Sequence, residues 1–522
     1  MSDAGATRSR RPEGADRSLH FERRMSDAEA LMWNVEKDPW LNPSGATVTI
    51  VDRPIDAALF RRRICLAVAN IARLRQRVVP GVARLSAPSW ATDTELDIDY
   101  HVRHISLASP GTRRQLYDLV THLYEDPFDR TRPLWQFVII DGLRDASGPE
   151  QGALFMKIHH SISDGAGLVR ISESYMERRR DAPPPADVDL PKMLADAAKA
   201  EKRDADEGSD TAGATGLVNV ATRGMGNVAR QQLRVARRVA SGALLLSSDP
   251  FGAKESGEAA LDTLRSMYGQ LTGSGGELAG GSALWKQRSR KRHLESIRLP
   301  LADVKTAGTT LGGSINDVFV TGAVMGALRY HTQRKVDVDA LNISFVVSTK
   351  TDSSSGSNSF TPSRVQVSGA AMKPKERFAA ISALMAAGKA EVRGSGALSG
   401  VAAVANLLPT SVVTRFARAQ AAKTDFATSN LRAAPFSMYI SGAKVLESAT
   451  MGPVAGTAFN LTTVSYDGSL DMGLFVDPTA VDDPADLRRC MELSYAELLH
   501  AGGIKKPGKV TTAPGRVPRR RS

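Results

Sequence analysis

His159-His160-Ser161-Ile162-Ser163-Asp164-Gly165 follows the mostly apolar run Ala153–Ile158, and this junction decides how the chain is read. A short apolar run bounded by turn residues fits a buried strand. A strand that delivers a histidine into a turn presents a base useful at neutral pH, because an imidazole loses its proton near pH ~6–7. Gly165 allows a backbone conformation or close approach that a side chain would block. Successive strand side chains point to opposite faces, so only one of the two histidines can aim at a given centre. Cys65 and Cys490 lie far from the pair in sequence, and no metal site is expected. Taken alone, the string fits either a catalytic histidine or a satisfied core histidine followed by a turn-forming Asp-Gly.

Its companions in the chain favour the first reading. Pro133-Leu134-Trp135 precedes the histidine pair, and Asn316-Asp317 falls in the segment SINDVFVTGAVMGALR. A hairpin-like block, Phe459–Pro478, lies near the end, and Met25–Glu36 opens the ordered part of the chain. In this order the blocks resemble the bacterial wax ester synthase/diacylglycerol acyltransferase family, within the wider CoA-dependent acyltransferases that share HxxxD. The resemblance spans roughly residues 25–500. It implies an α/β fold of two chloramphenicol-acetyltransferase-like sandwich domains with a tunnel between them. It also implies long-chain acyl-CoA as co-substrate, no tightly bound cofactor, and diacylglycerol or a fatty alcohol as acceptor.

The same resemblance assigns roles. His160 aligns with the histidine of HxxxD and becomes the general base, with His159 a supporting neighbour on the other strand face. Asp164 holds the turn in shape by pairing with an arginine, and Gly165 completes the motif. Asn316 and Asp317 fall in the first turn of a helix capped by Ser314, where a small amide and an acid suit exposed backbone N–H groups. The functional alternative has that turn facing His160, with Asn316 as a polar contact to acyl chain or acceptor. Pro133, Leu134 and Trp135 are read as packing residues beneath the site. No GxSxG elbow is present and no cysteine neighbours a histidine, so direct transfer without an acyl-enzyme is expected. The segment Asn430-Leu431-Arg432-Ala433-Ala434-Pro435 departs from the family's NxPG-like turn, which bears on the acceptor.

Composition agrees with this reading. A chain of 522 residues is expected to hold more than one domain. Two cysteines argue against a disulfide framework and fit a reducing cytosol. Arg8, Arg10, Arg11 and Arg17, with no apolar segment beside them, do not make a secretory signal. The longest uncharged run, Gly394–Thr414, is broken by Asn406 and Pro409 and suits a partly buried helix pair. The expectation is a cytoplasmic protein, soluble or peripheral at an inner membrane face or lipid-droplet surface. Much of the net charge of +12 sits after Ile504, where seven basic residues meet no acid. That tail reads as disordered, or as weakly attracted to anionic headgroups. It lacks aromatics to stack on bases, so no nucleic-acid partner is expected.

The chain divides into a disordered tail (1–24), a first acyltransferase domain (25–180), a connector (181–285), a second domain (286–503) and a basic tail (504–522). Lys192–Gly216 is charged and Ala-rich without apolar periodicity, and is read as linker. Thr222–Leu246 places Arg223, Arg230, Arg234, Arg237 and Arg238 opposite an apolar side. It suits a surface helix packed on the body, or an amphipathic helix lying on lipid. Trp135–Asp141 and Ala153–His159 read as neighbouring strands, Tyr439–Val445 as one strand, and Asp467-Gly468 as a tight hairpin turn.

Overall fold

A computed structural model describes residues 22–81, 87–144, 148–163, 165–209, 281–348, 360–395, 405–406, 408, 410–453 and 456–506. The chain begins with helix α1 (Asp27–Val35), strand β1 (Ser44–Val51), helix α2 (Ala57–Asn70) and the short helix α3 (Ala72–Arg75). Strands β2 (Gln76–Val79) and β3 (Ser89–Thr92) pair with each other. Helix α4 (Ile98–His101), strand β4 (Val102–Ser106), helix α5 (Arg113–Glu125) and strands β5 (Trp135–Leu143) and β6 (Gln151–His159) lead to the histidine turn. Helices α6 (Gly165–Tyr175) and α7 (Leu190–Ser209) follow.

The second half opens with β7 (His293–Pro300), α8 (Leu301–Thr310), α9 (Ile315–Gln333), β8 (Ala340–Ser348) and β9 (Phe360–Ser368). Helices α10 (Pro374–Ser395) and α11 (Thr410–Ala422) precede β10 (Phe426–Arg432), β11 (Tyr439–Ile440) and β12 (Ala443–Met451). Strands β13 (Phe459–Tyr466) and β14 (Ser469–Val476) and helix α12 (Pro484–Ala501) complete the described elements.

Local chemistry accounts for several of these boundaries. Ser26 and Glu29 form a reciprocal capping box on α1, and Ser314 and Asp317 form another on α9. The β13–β14 hairpin turns through Asp467 and Gly468, at φ 40° and 81°, the conformation that a two-residue turn between twisted strands demands. The expected strand Tyr439–Val445 is instead a small hairpin. Ser441 and Gly442, at φ 46° and 84°, reverse the chain between β11 and β12.

The strands form two six-stranded mixed sheets, the two-part α/β architecture expected. The first has the order β11-β12-β1-β6-β5-β4, and the second β7-β14-β13-β10-β8-β9. Strands β5 and β6 are antiparallel neighbours, as expected, and Trp135 faces Ile158. Helices α2 and α6 cover one face of the first sheet around Phe60, Met156 and Tyr175. Helix α5 covers the other face through Leu116, Val120 and Tyr124. The second sheet packs on α8, α9, α10 and α12 around Phe319, Phe459 and Tyr495.

Two expectations need correction. The contiguous unit 286–503 does not hold together as one sheet, because β11 and β12 join the first sheet and β12 pairs with β1 from Ala46↔Met451 to Val51↔Val445. Without β12, almost fully buried β1 would carry a row of unpaired backbone groups, so a distant strand completes it. The same strand touches the second sheet. Ser448 N–H donates to Asp471 Oδ2 at 3.0 Å, and a Cβ on Gly473 would meet Thr450 O at 2.0 Å.

The second correction concerns the linker read at Lys192–Gly216. Its start is helical, in α7, and docks on the first half. Glu201 accepts hydrogen bonds from Gln76 Nε2 at 2.7 Å and from Thr92 N and Oγ1, each at 2.8 Å. Ala, Lys and Glu favour helix, and Leu190, Met193 and Leu194, at helical spacing, pack in the first core beside the Glu201 hydrogen bonds. Thr222–Leu246, the N-terminal tail up to residue 21 and the basic tail beyond residue 506 lie outside the described residues.

Candidate active site

Strand β6 ends at His159, and the turn after it is held from both sides. His159 N–H donates to Leu134 O at 3.0 Å, and His160 N–H donates to Pro43 O at 3.1 Å. Ile162 N–H then closes the turn on His159 O at 2.9 Å. The Pro133-Leu134-Trp135 block therefore acts through backbone and packing. Leu134 and Trp135 are buried, and the indole Nε1 donates to Leu74 O at 2.7 Å. Trp135 also stacks on His101 at a centroid separation of 4.3 Å. Burial pushes His101 down to about 4, so that ring is neutral filling at working pH.

The two histidines face opposite ways. Lys157 and His159 lie on the α5 face, whereas Met156 and Ile158 belong to the α2–α6 face that His160 rejoins. His159 is fully buried. Its Nδ1 accepts from Ser161 N–H at 3.0 Å and lies 2.6 Å from Ser161 Oγ. A nitrogen that accepts from a backbone N–H carries no proton, so the ring hydrogen sits on Nε2. That Nε2 points at Glu36 Oε2, 3.4 Å away.

Glu36 in turn accepts from Arg130 Nη1 at 2.8 Å, and the Arg130 guanidinium lies 3.3 Å from the Trp33 ring centroid. Burial alone would raise the Glu36 carboxyl. His159, Arg130 and Lys157 together outweigh it and hold the group below its usual range. Lys157, buried behind the pair, is pushed down to about 8 by burial against the opposing attraction of Asp126 and Glu36. Its Nζ donates to Asp126 O and lies 4.6 Å from the Phe128 ring.

His160 is half-buried and looks the other way. Its Nε2 faces the bare Cα of Gly45 on β1; a Cβ there would lie 3.2 Å from Nε2 and 3.6 Å from Leu168 Cδ1. Beyond Gly45, on the same strand face, Thr47 and Thr49 line a mostly apolar cavity of about 80 Å³. Met156 and Tyr175 contribute from the first half, and Ala433, Ala434, Val464 and Tyr466 from the second. The cavity thus lies along the seam between the halves.

The remaining candidates fall into place unequally. Asp317 is occupied by the helix cap: its Oδ2 accepts from Ser314 N and Oγ, both at 2.7 Å. Asn316 Oδ1 accepts from Asn430 Nδ2 at 3.1 Å, which joins it to the divergent Asn430–Pro435 segment. Gly165 is the first residue of α6, and Asp164 lies outside the described residues. Glu36, Arg130, Ser161 and Gly45 carry the geometry but were not singled out in the sequence. Gly45 left a readable signal, because a glycine inside a strand often marks a close approach. Glu36 left none, since only folding brings it to His159.

A second histidine contact has a nucleophile-like look. Ser282 Oγ lies 2.6 Å from His331 Nε2, while His331 Nδ1 pairs with Ala327 O at 2.8 Å. Both residues are buried, under Trp285, and the hydroxyl also accepts from Trp285 N–H at 3.2 Å. This pair is core structure.

The chain resembles several known proteins. Rv2484c of Mycobacterium tuberculosis, provisionally named a diacyglycerol O-acyltransferase, is 26% identical over 512 residues, covering 95% of this chain and 97% of its own. "Probable diacyglycerol O-acyltransferase Tgs4" of the same organism is 27% identical over 438 residues, covering 82% and 86%. The fold resembles that of the wax ester synthase/diacylglycerol acyltransferase from Marinobacter aquaeolei VT8, with a TM-score of 0.59 at 18% identity, across 92% of this chain and 100% of that one. It also resembles the first condensation domain of the calcium-dependent antibiotic synthetase, with a TM-score of 0.54 at 13% identity, across 93% and 97%. Residues 25–319 match the wax ester synthase/diacylglycerol acyltransferase catalytic domain, and residues 358–499 match the WS/DGAT C-terminal domain. The chain belongs to the wax ester synthase/diacylglycerol acyltransferase family of O-acyltransferases.

Proposed function

We propose that the protein transfers a long-chain acyl group from acyl-CoA to the hydroxyl of diacylglycerol or a fatty alcohol, with His160 as general base. One observation carries this reading: the imidazole of His160 faces the bare Cα of Gly45, on the strand face whose Thr47 and Thr49 line an apolar cavity. The acceptor hydroxyl gives its proton to the imidazole as its oxygen attacks the thioester carbonyl. Collapse of the tetrahedral adduct breaks the C–S bond, and the same proton passes to the departing sulfur. The C–O bond forms directly, with no acyl-enzyme. His159 takes no proton in this scheme, because its Nδ1 is occupied by Ser161. Asp164 is assigned the turn-holding role, and Asn316 the polar contact across the site.

The acceptor is the less determined half of the reaction. Ala433 and Ala434, in the divergent segment, line the cavity. Their small side chains leave room for another hydroxylated lipid or a polyketide acceptor. The test is thiol release from long-chain acyl-CoA across a panel of diacylglycerol, fatty alcohols and bulkier hydroxylated acceptors. Release with diacylglycerol or a fatty alcohol that disappears in folded His160→Ala supports the reading. Unchanged turnover in that variant removes His160 from the chemistry. Lipid binding without release across the whole panel leaves a non-catalytic lipid-binding protein.

Among the described residues no single helix is long and apolar enough to cross a membrane. Peripheral contact with the inner membrane face or a lipid droplet is assigned to Thr222–Leu246 and the basic tail. Truncation after Ile504 should move the protein from the membrane fraction to the soluble one, and an unchanged distribution excludes the tail from that role.

A further inference from the structure

We propose that Gly45 is a specificity-determining residue: its missing side chain leaves the place beside His160 where the acceptor hydroxyl sits. This rests on the reading of His160 as base. Gly45 pairs with Ile158, one pair in from the end of the β1–β6 ladder, and is not among the residues of positive φ. Its backbone therefore does not need glycine, and a glycine inside a strand weakens it. Something other than conformation accounts for it. A Cβ at this position would stand 3.2 Å from His160 Nε2 and 3.8 Å from Cδ2, with Leu168 Cδ1 at 3.6 Å.

A hydroxyl hydrogen-bonded to an imidazole places its oxygen about 2.6–3.2 Å from the nitrogen. A methyl on Gly45 would thus stand at the outer edge of that shell, where it crowds the carbon bearing the reacting oxygen more than the oxygen itself. Thr47 and Thr49 follow on the same face and line the cavity, the first roughly 7 Å along the strand. An acceptor whose oxygen lies over Gly45 can therefore direct its hydrocarbon along β1 into apolar surroundings. Crowding at this point acts hardest on an alcohol branched at the carbinol carbon or one carbon from it, as in diacylglycerol, so Gly45 governs how bulky an alcohol reaches the base.

The competing account is that Gly45 only makes room for the ring. The two accounts separate on a small nucleophile. Water attacking the same thioester forms a C–O bond, breaks the C–S bond and leaves its proton on sulfur, yet needs far less space than diacylglycerol. In Gly45→Ala, kcat/KM for diacylglycerol should fall about tenfold or more, and that for a primary fatty alcohol by less. Thioester hydrolysis should change by less than about threefold. A parallel fall in transfer and hydrolysis, or no change in either, overturns the proposal.

Leu168→Ala provides the second arm should the glycine variant not fold, because it opens the same space from α6. It should raise turnover of secondary over primary alcohols, and an unchanged ratio counts against the proposal. A wild-type protein that neither transfers nor hydrolyses would instead overturn the acyltransferase reading itself.

Discussion

The two faces of the first sheet at the histidine pair differ in kind. On the α5 face every strong group is committed: His159 to Ser161 and Glu36, Glu36 to Arg130, and Arg130 to the Trp33 ring. On the opposite face His160 meets a strand with no side chain at Gly45, and Thr47 and Thr49 on that face line a cavity. One histidine is held by Ser161 at its Nδ1 and by the nearby Glu36 carboxylate, and its neighbour is presented by the removal of bulk. Adjacent residues serve such different ends because strand side chains alternate, so a single turn can be rigid behind and open in front.

The largest effect separating the faces should be on activity. His160→Ala is expected to lower acyl transfer by about 10²–10⁴-fold while leaving the unfolding midpoint nearly unchanged. Thiol release and circular dichroism check both halves, and an active His160→Ala variant would erase the contrast. Glu36→Ala should do the reverse in emphasis. It strands Arg130 and His159 without their acceptor and should cost about 2–4 kcal/mol in urea unfolding, with activity falling because the turn slackens. A wild-type midpoint in that variant would mean the rear face holds nothing.

The charge on Glu36 sharpens the comparison through pH. A carboxyl held below its unfolded value of about 4.3 adds stability that is present above that pH and is lost as pH falls through the folded value. The advantage of wild type over Glu36→Gln should therefore be steady near neutrality and shrink in acid. Lys157 has the opposite sign. A base pushed down to about 8 costs stability while both states are protonated, and the cost fades as pH rises toward about 10.4. Wild type should accordingly gain on Lys157→Met between those values, and parallel urea titrations would show a flat difference if Lys157 were not desolvated. The smallest expected effect is at the buried second-half pair. Ser282→Ala should leave acyl transfer unchanged and cost about 1–2 kcal/mol. A loss of activity in a folded Ser282→Ala variant would place catalysis in the wrong half.

Features set by short stretches of chain were legible before folding. The Ser26–Glu29 and Ser314–Asp317 capping boxes each span one helical turn, and Asp467-Gly468 closes a hairpin between adjacent strands. The opposite facing of His159 and His160 follows from strand alternation alone. What escaped depends on partners far away in sequence. Strand β12 finds β1 across about four hundred residues, as Ala46↔Met451 shows, and nothing local to either strand announces the other. Helix α7 docks through Glu201 and the buried Leu194, two residues in a charged stretch that otherwise resembles a linker.

The sequence by itself determined the family, the histidine turn and the separation of the pair onto two faces, because these rest on residue order and backbone periodicity. Only the tertiary structure decided that Glu36 and Arg130 stand behind His159 and that Gly45 lies against His160. Each of these is a contact between separate segments. Its geometry is set by how the sheet packs and registers, and no single segment records that.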